Sequence, residues 1–165
     1  MTVAALVVYV PEPFAWKELE KNGVPAKAIQ YAGTKGQLFV VAAGNDGGNL
    51  DSARFNDFPT EYNLDNIISV AATNSAGNMP YWSNYGTSTV DVAAPGSNIL
   101  STLPGNSYGT MSGTSMATPM VTGAAALMLA ANKKFTAAQL KGRLIDGSDE
   151  TTTLNNRTVS DGQID

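Results

Sequence analysis

The chain has 165 residues, 43% of them hydrophobic and 8% aromatic, enough for one domain with a real core and short for two. Lys plus Arg number 10 against 14 Asp plus Glu, a net charge of −4 with no basic cluster, which excludes an electrostatic footprint for nucleic acid or an anionic membrane. The lack of cysteine excludes disulfide and thiolate chemistry, and the lack of histidine removes the usual general base and the commonest metal ligand.

Thr2 to Val10 is an apolar run without a basic leader or a small-residue cleavage site, so it reads as a buried strand and not as a signal peptide. Pro11 and Pro13 end it. A short helical stretch is expected over Ala15 to Lys21, stopped by Asn22-Gly23. Ala26 to Ala32 has helical spacing, with Gly33 suited to its C-cap. Leu38 to Ala43 (LFVVAA) is continuously apolar and bounded by glycines, as a strand covered on both faces should be. Ile67 to Ala72 (IISVAA) and Val90 to Ala94 (VDVAA) share that character.

Ser115 to Ala131 (SMATPMVTGAAALMLAA) is the longest candidate helix. It is apolar on every side, so it is expected to be buried, with Pro119 at the end of its first turn. Its most apolar part, Met120 to Ala131, interrupted only by Thr122 and Gly123, is too short to span a bilayer. Thr136 to Ile145 reads as a second helix, with Thr136 as N-cap and Gly147 just past its end. Gly147 to Asp165 is polar and expected to be loop with one short strand. Alternating strands and helices predict an α/β domain of three layers, a mostly parallel sheet with a buried central helix.

The segment that carries chemistry is Gly113-Thr114-Ser115-Met116-Ala117-Thr118-Pro119. A serine opening a helix has its backbone N–H among the unsatisfied donors there, where the macrodipole favours negative charge. An attacking oxygen and a donor for the resulting oxyanion thus come from one residue, with Gly113 expected to allow a tight entry. The plain alternative is that Ser115 is an ordinary N-cap. Earlier in the chain, Val40 to Gly47 (VVAAGNDG) runs a buried strand into a glycine-rich turn presenting Asn45, whose side-chain amide can donate to a developing oxyanion. Alone, Asn before such a turn needs no function.

Together the two segments resemble the nucleophile and oxyanion-hole segments of the subtilisin-like (subtilase) serine peptidases, in that family's order. Leu64 to Ala72, Trp82-Ser83-Asn84-Tyr85-Gly86, Asp91 to Gly96 and Val159-Ser160-Asp161-Gly162 are similar to structural stretches of the same family. The resemblance covers Ala26 to Asp165, the C-terminal part of the peptidase domain, and leaves residues 1–25 unmatched. It implies a partial subtilisin-like fold and a serine endopeptidase acting on polypeptides. It also implies Ser115 as nucleophile, Asn45 as oxyanion donor, Thr114 as support for the oxyanion site, and Ala43 and Gly44 as one wall of the substrate pocket.

The match breaks at the other two members of the triad. Subtilases carry Asp, His and Ser in that order, and neither an Asp-Ser/Thr-Gly nor a His-Gly-Thr-His segment occurs here. Met1 to Gly44 contains no Asp, and Pro11 to Pro25 stands where the family has a pocket-forming stretch. Lys35, Lys133 and Lys134 have no motif placing them as a substitute base. A serine hydroxyl is a weak nucleophile until a base takes its proton, so the chain alone is expected to be inactive. Asp and His are then expected from upstream sequence or from a second chain, the missing N-terminal half of the domain. The alternative is a non-catalytic relic that binds peptides or partners.

No cofactor is required for this chemistry. The oxygen-rich turns Asp46 to Asp51 and Asp146 to Glu150 could hold calcium as a structural ion, but neither has EF-hand spacing and solvated turns are the preferred reading. The Asn156-Arg157-Thr158 sequon is common by chance. Tyr81, Trp82 and Tyr85 are expected in core packing. Secretion is what the family implies for location. A partial parallel sheet exposes an edge and apolar helix faces, so self-association is expected.

Overall fold

The computed structural model describes residues 5–8, 23–52 and 59–164. Four strands form the parallel centre of one sheet: β1 (Ala5–Val8), β2 (Leu38–Ala42), β3 (Ile67–Thr73) and β4 (Val92–Pro95). Two short strands extend it, β7 (Asp149–Glu150) and β8 (Gly162–Gln163), giving the order β1-β2-β3-β4-β8-β7. The β7–β8 pair is antiparallel. A separate antiparallel hairpin is made of β5 (Ile99–Leu103) and β6 (Ser107–Met111).

Among the described residues the helices are α1 (Val24–Thr34), α2 (Thr114–Ala131) and α3 (Ala137–Asp146). On one face of the sheet, Leu38, Val40, Ile68, Val70, Val92 and Ala94 pack against Ala117, Val121 and Ala125 of α2 and Ala137, Leu140 and Leu144 of α3. On the other face Phe39, Val41 and Ile67 pack with Ile29 of α1, and Ala43, Ala71 and Ala93 with Leu50 and Leu154. Side chains alternate between faces along a strand, so covering both faces demands apolar residues throughout, as in LFVVA. The three-layer, mostly parallel α/β architecture follows.

Several local expectations shift. α1 runs through Gly33 to Thr34 and is capped by Lys35, because Gly33 serves a different purpose. A Cβ there would stand 2.7 Å from Asn66 Cγ, and Asn66 Nδ2 donates to the carbonyls of Ile29 and Gln37 at 2.9 and 3.2 Å. Pro119 lies inside α2, where it removes the N–H that would bond the Ser115 carbonyl. The α2 helix buries one face and leaves Met120 and Leu127 exposed on the other, 42% and 74% respectively. The start of α3 is as expected, with a capping box in which Thr136 Oγ1 accepts from the Gln139 N–H and Gln139 Oε1 from the Thr136 N–H. The polar C-terminal stretch holds two short strands in place of one. The helical stretch expected over Ala15 to Lys21 lies outside the described residues.

Candidate active site

Parallel strands end together, so the C-terminal ends of β2 and β3 and the N-terminus of α2 meet at one edge of the sheet. There Gly96 receives the Gly113 N–H at 2.9 Å, which delivers the chain to the first turn of α2. Gly113 is extended, φ 161° and ψ 160°, so the entry is not the tight turn expected of it. Thr114 and Ser115 are the first two residues of the helix, Thr114 fully buried and Ser115 half-buried. The N–H groups of this turn have no acceptor within the helix.

Asn45 sits in the turn after β2 and is tied to this point across 69 residues of chain. Its Oδ1 accepts from the Thr114 N–H at 2.9 Å and from Thr114 Oγ1 at 3.2 Å. An N–H can only donate, so the carbonyl oxygen of the Asn45 amide must be the end that faces it. Thr114 Oγ1 in turn accepts from the Gly44 N–H at 3.1 Å, and Thr118 Oγ1 donates to the Thr114 carbonyl at 2.8 Å. Gly44 has φ 98°, a left-handed conformation that glycine adopts without penalty and that turns the chain from the strand toward Thr114. With its oxygen committed, Asn45 has Nδ2 left as a directed donor, one residue away from Ser115 on the helix.

Ala43, Gly44, Asn45, Thr114 and Ser115 are therefore brought to one place. Ala43 is fully buried, its N–H bonded to the Val70 carbonyl at 2.9 Å. The lysines are not brought there. Lys35 caps α1 just before the start of β2, at the opposite end of that strand from Asn45. Lys133 and Lys134 follow the far end of α2, an 18-residue helix of about 27 Å at 1.5 Å per residue. Among the described residues, no cluster of three acidic side chains with the geometry to hold a metal occurs. Asp51, in the oxygen-rich turn, is occupied by protein donors: the N–H and hydroxyl of Thr87, the Ser88 N–H and the Thr89 hydroxyl.

The aromatic trio divides. Trp82 packs against the main core, Tyr85 lies under the Arg157 guanidinium at 4.3 Å, and Tyr81 is 94% exposed, contrary to expectation. Asn84 between them proves to be a hub of the Asn45 turn. In the sequence it is one member of a structural stretch, and its polar side chain between Ser and an aromatic was the available signal.

A sequence profile of the subtilase family matches residues 9–163. Among relatives, subtilisin BL of Lederbergia lenta is 38% identical over 144 residues, 87% of this chain and 48% of that protein. Subtilisin of Bacillus pumilus is 43% identical over 116 residues, 70% of this chain and 41% of that protein. A cold adapted subtilisin-like serine proteinase superposes with a TM-score of 0.69 at 37% identity, over 84% of this chain and 47% of that one. The prenylagaramide maturation protease PagA gives 0.73 at 28% identity, over 85% and 51%. The chain spans about half the length of the relatives it matches. With its motifs, its sheet order and its match along nearly the whole length, the chain belongs to the subtilase family.

Proposed function

We propose that this chain supplies the nucleophile and oxyanion-binding half of a serine endopeptidase that cleaves polypeptides. Ser115 is the nucleophile, Asn45 Nδ2 and the Ser115 N–H stabilise the oxyanion, and Thr114, whose own N–H is taken by Asn45 Oδ1, holds Asn45 in place. Ala43 and Gly44 form one wall of the substrate pocket. The observation that carries this reading is the pair of hydrogen bonds from Thr114 to Asn45 Oδ1, which leaves a preorganised amide donor beside a serine at a helix N-terminus.

Proton abstraction from Ser115 needs a base, and the chain contains no histidine. Asp and His come from a preceding segment of a longer product or from a second chain that covers the open face of α2. Export from the cell belongs to the same reading, on family grounds alone, as does calcium as a structural ion. The missing base also favours a second reading, a relic that binds peptides without cleaving them.

The test is to express the chain alone and joined behind the N-terminal half of a relative such as subtilisin BL, then treat both with a fluorophosphonate probe and a protein substrate. The isolated chain should neither label nor cleave, and the joined protein should do both, with loss of labelling in Ser115→Ala. Brisk cleavage by the purified chain alone would overturn the missing-base reading. A folded joined protein that neither labels nor cleaves would leave the relic.

A further inference from the structure

Asn84 is fully buried between the Asn45 turn and the strands behind it. Its Nδ2 donates to the Ala43 carbonyl at 2.9 Å, and its Oδ1 accepts from the N–H groups of Asp46 at 3.0 Å and Gly48 at 2.9 Å. Its own N–H donates to the Gly44 carbonyl at 3.0 Å. The neighbouring backbone adds two more bonds, Gly47 N–H to the Trp82 carbonyl at 2.8 Å and Tyr85 N–H to the Gly48 carbonyl at 3.0 Å. These contacts fall on both sides of Asn45. Asn45 itself reaches the other way, to Thr114.

We infer that Asn84 is a positioning residue for the oxyanion donor: it sets the curvature of residues 43–48 so that the Asn45 carbonyl meets Thr114 and Nδ2 faces the first turn of α2. The chemistry demands an amide here, because one planar group must present a donor to Ala43 and an acceptor to Asp46 and Gly48 at a fixed separation. Aspartate would turn a second oxygen toward the Ala43 carbonyl. Serine cannot reach both sides, and glutamine adds a methylene where no space is open. The consequence for turnover rests on the proposed oxyanion role of Asn45, but the positioning does not, and it is measurable in the chain as it stands.

Hydrogen exchange resolved to single amides reads it. The Thr114 N–H is the reporter, since it bonds to Asn45 and makes no bond to Asn84. In Asn84→Ser the amides of Asp46, Gly48 and Thr114 should all exchange about tenfold or more faster. Those of Ile68 and Val70 in β3 should stay within about threefold of their original rates. An unchanged Thr114 amide in a folded Asn84→Ser protein overturns the inference. If that variant does not fold, the original chain decides: a common opening of Asp46, Gly48 and Thr114 supports the inference, and an independent opening of Thr114 overturns it. In the joined enzyme, Asn84→Ser should lower kcat with little change in KM, and should lose that effect in an Asn45→Ala background. An equal loss in both backgrounds overturns the inference as well. An Asn45→Ala enzyme with undiminished turnover instead sinks the oxyanion reading and leaves the exchange result standing.

Discussion

The two faces of α2 are equally apolar and meet opposite fates. Ala117, Val121 and Ala125 lie on the sheet, and burying a side chain such as Val121 stabilises the fold by about 1.5–3 kcal/mol. Met120, Ala126 and Leu127 face solvent on the other side. A helix written to be apolar all round is written to be covered all round, and here the sheet covers one side only. The site at its N-terminus repeats the pattern. On one side Asn45, Thr114 and Gly44 form a closed set of hydrogen bonds, while the chain holds no histidine to serve Ser115 as a base.

The largest effects test the finished side of the site in the joined enzyme. Ser115→Ala should lower cleavage about a millionfold and abolish probe labelling, the scale found for the serine in a subtilisin. Asn45→Ala should cost about 10²–10³ in kcat, the loss found when a subtilisin is deprived of its own oxyanion-hole asparagine. If Asn45→Ala raised KM and left kcat alone, the amide would serve binding and not the transition state.

Stability separates the covered from the uncovered face. Leu140, fully buried on α3 against α2 and the sheet, should cost about 2–5 kcal/mol when changed to Ala, read from urea midpoints. Leu127→Lys should change folding stability by no more than about 0.5 kcal/mol and should instead reduce concentration-dependent sedimentation of the isolated chain. A large loss of stability in Leu127→Lys would mean that this face is covered within the monomer. Thr136→Ala, which removes one arm of the capping box, lies between them at about 1 kcal/mol.

Legibility in the sequence followed how local the cause was. LFVVA and IISVAAT announced strands buried on both faces because that environment constrains every position. Thr136 announced a helix start because its cap partner is three residues away. The Ser115 and Asn45 segments were readable as motifs, since each needs several residue types in one short run. The hairpin Ile99–Met111 was not foreseen: most of its residues are exposed, so burial imposes no pattern on them. The role of Gly33 was misassigned because its constraint, Asn66, is remote in sequence. Asn84 was hidden for the same reason, its partners lying 36 to 41 residues earlier.

The smallest effect concerns the turn beyond the site. Partial burial by itself would raise the pKa of Asp51, but hydrogen bonds from the Thr87 and Thr89 hydroxyls and from the Ser88 and Thr87 N–H groups outweigh it and hold the carboxyl below its ordinary 3.8. A group with a depressed folded pKa contributes stability that is complete above its unfolded value and lost as pH falls through the folded one. The stability gap between the original chain and Asp51→Asn should therefore be constant above about pH 5 and close progressively below about pH 4, with a modest size because the carboxylate is largely in water. Urea midpoints across that range measure it, and a gap that persists at about pH 2 would show that shape, not charge, holds Thr87 to Thr89. The Leu50 N–H bonds to the Tyr85 carbonyl at 2.8 Å, beside both Asp51 and Asn84. Acid should thus loosen the outer end of the same pair of segments that Asn84 clamps at the inner end, and the Thr114 amide should be the last of the group to respond.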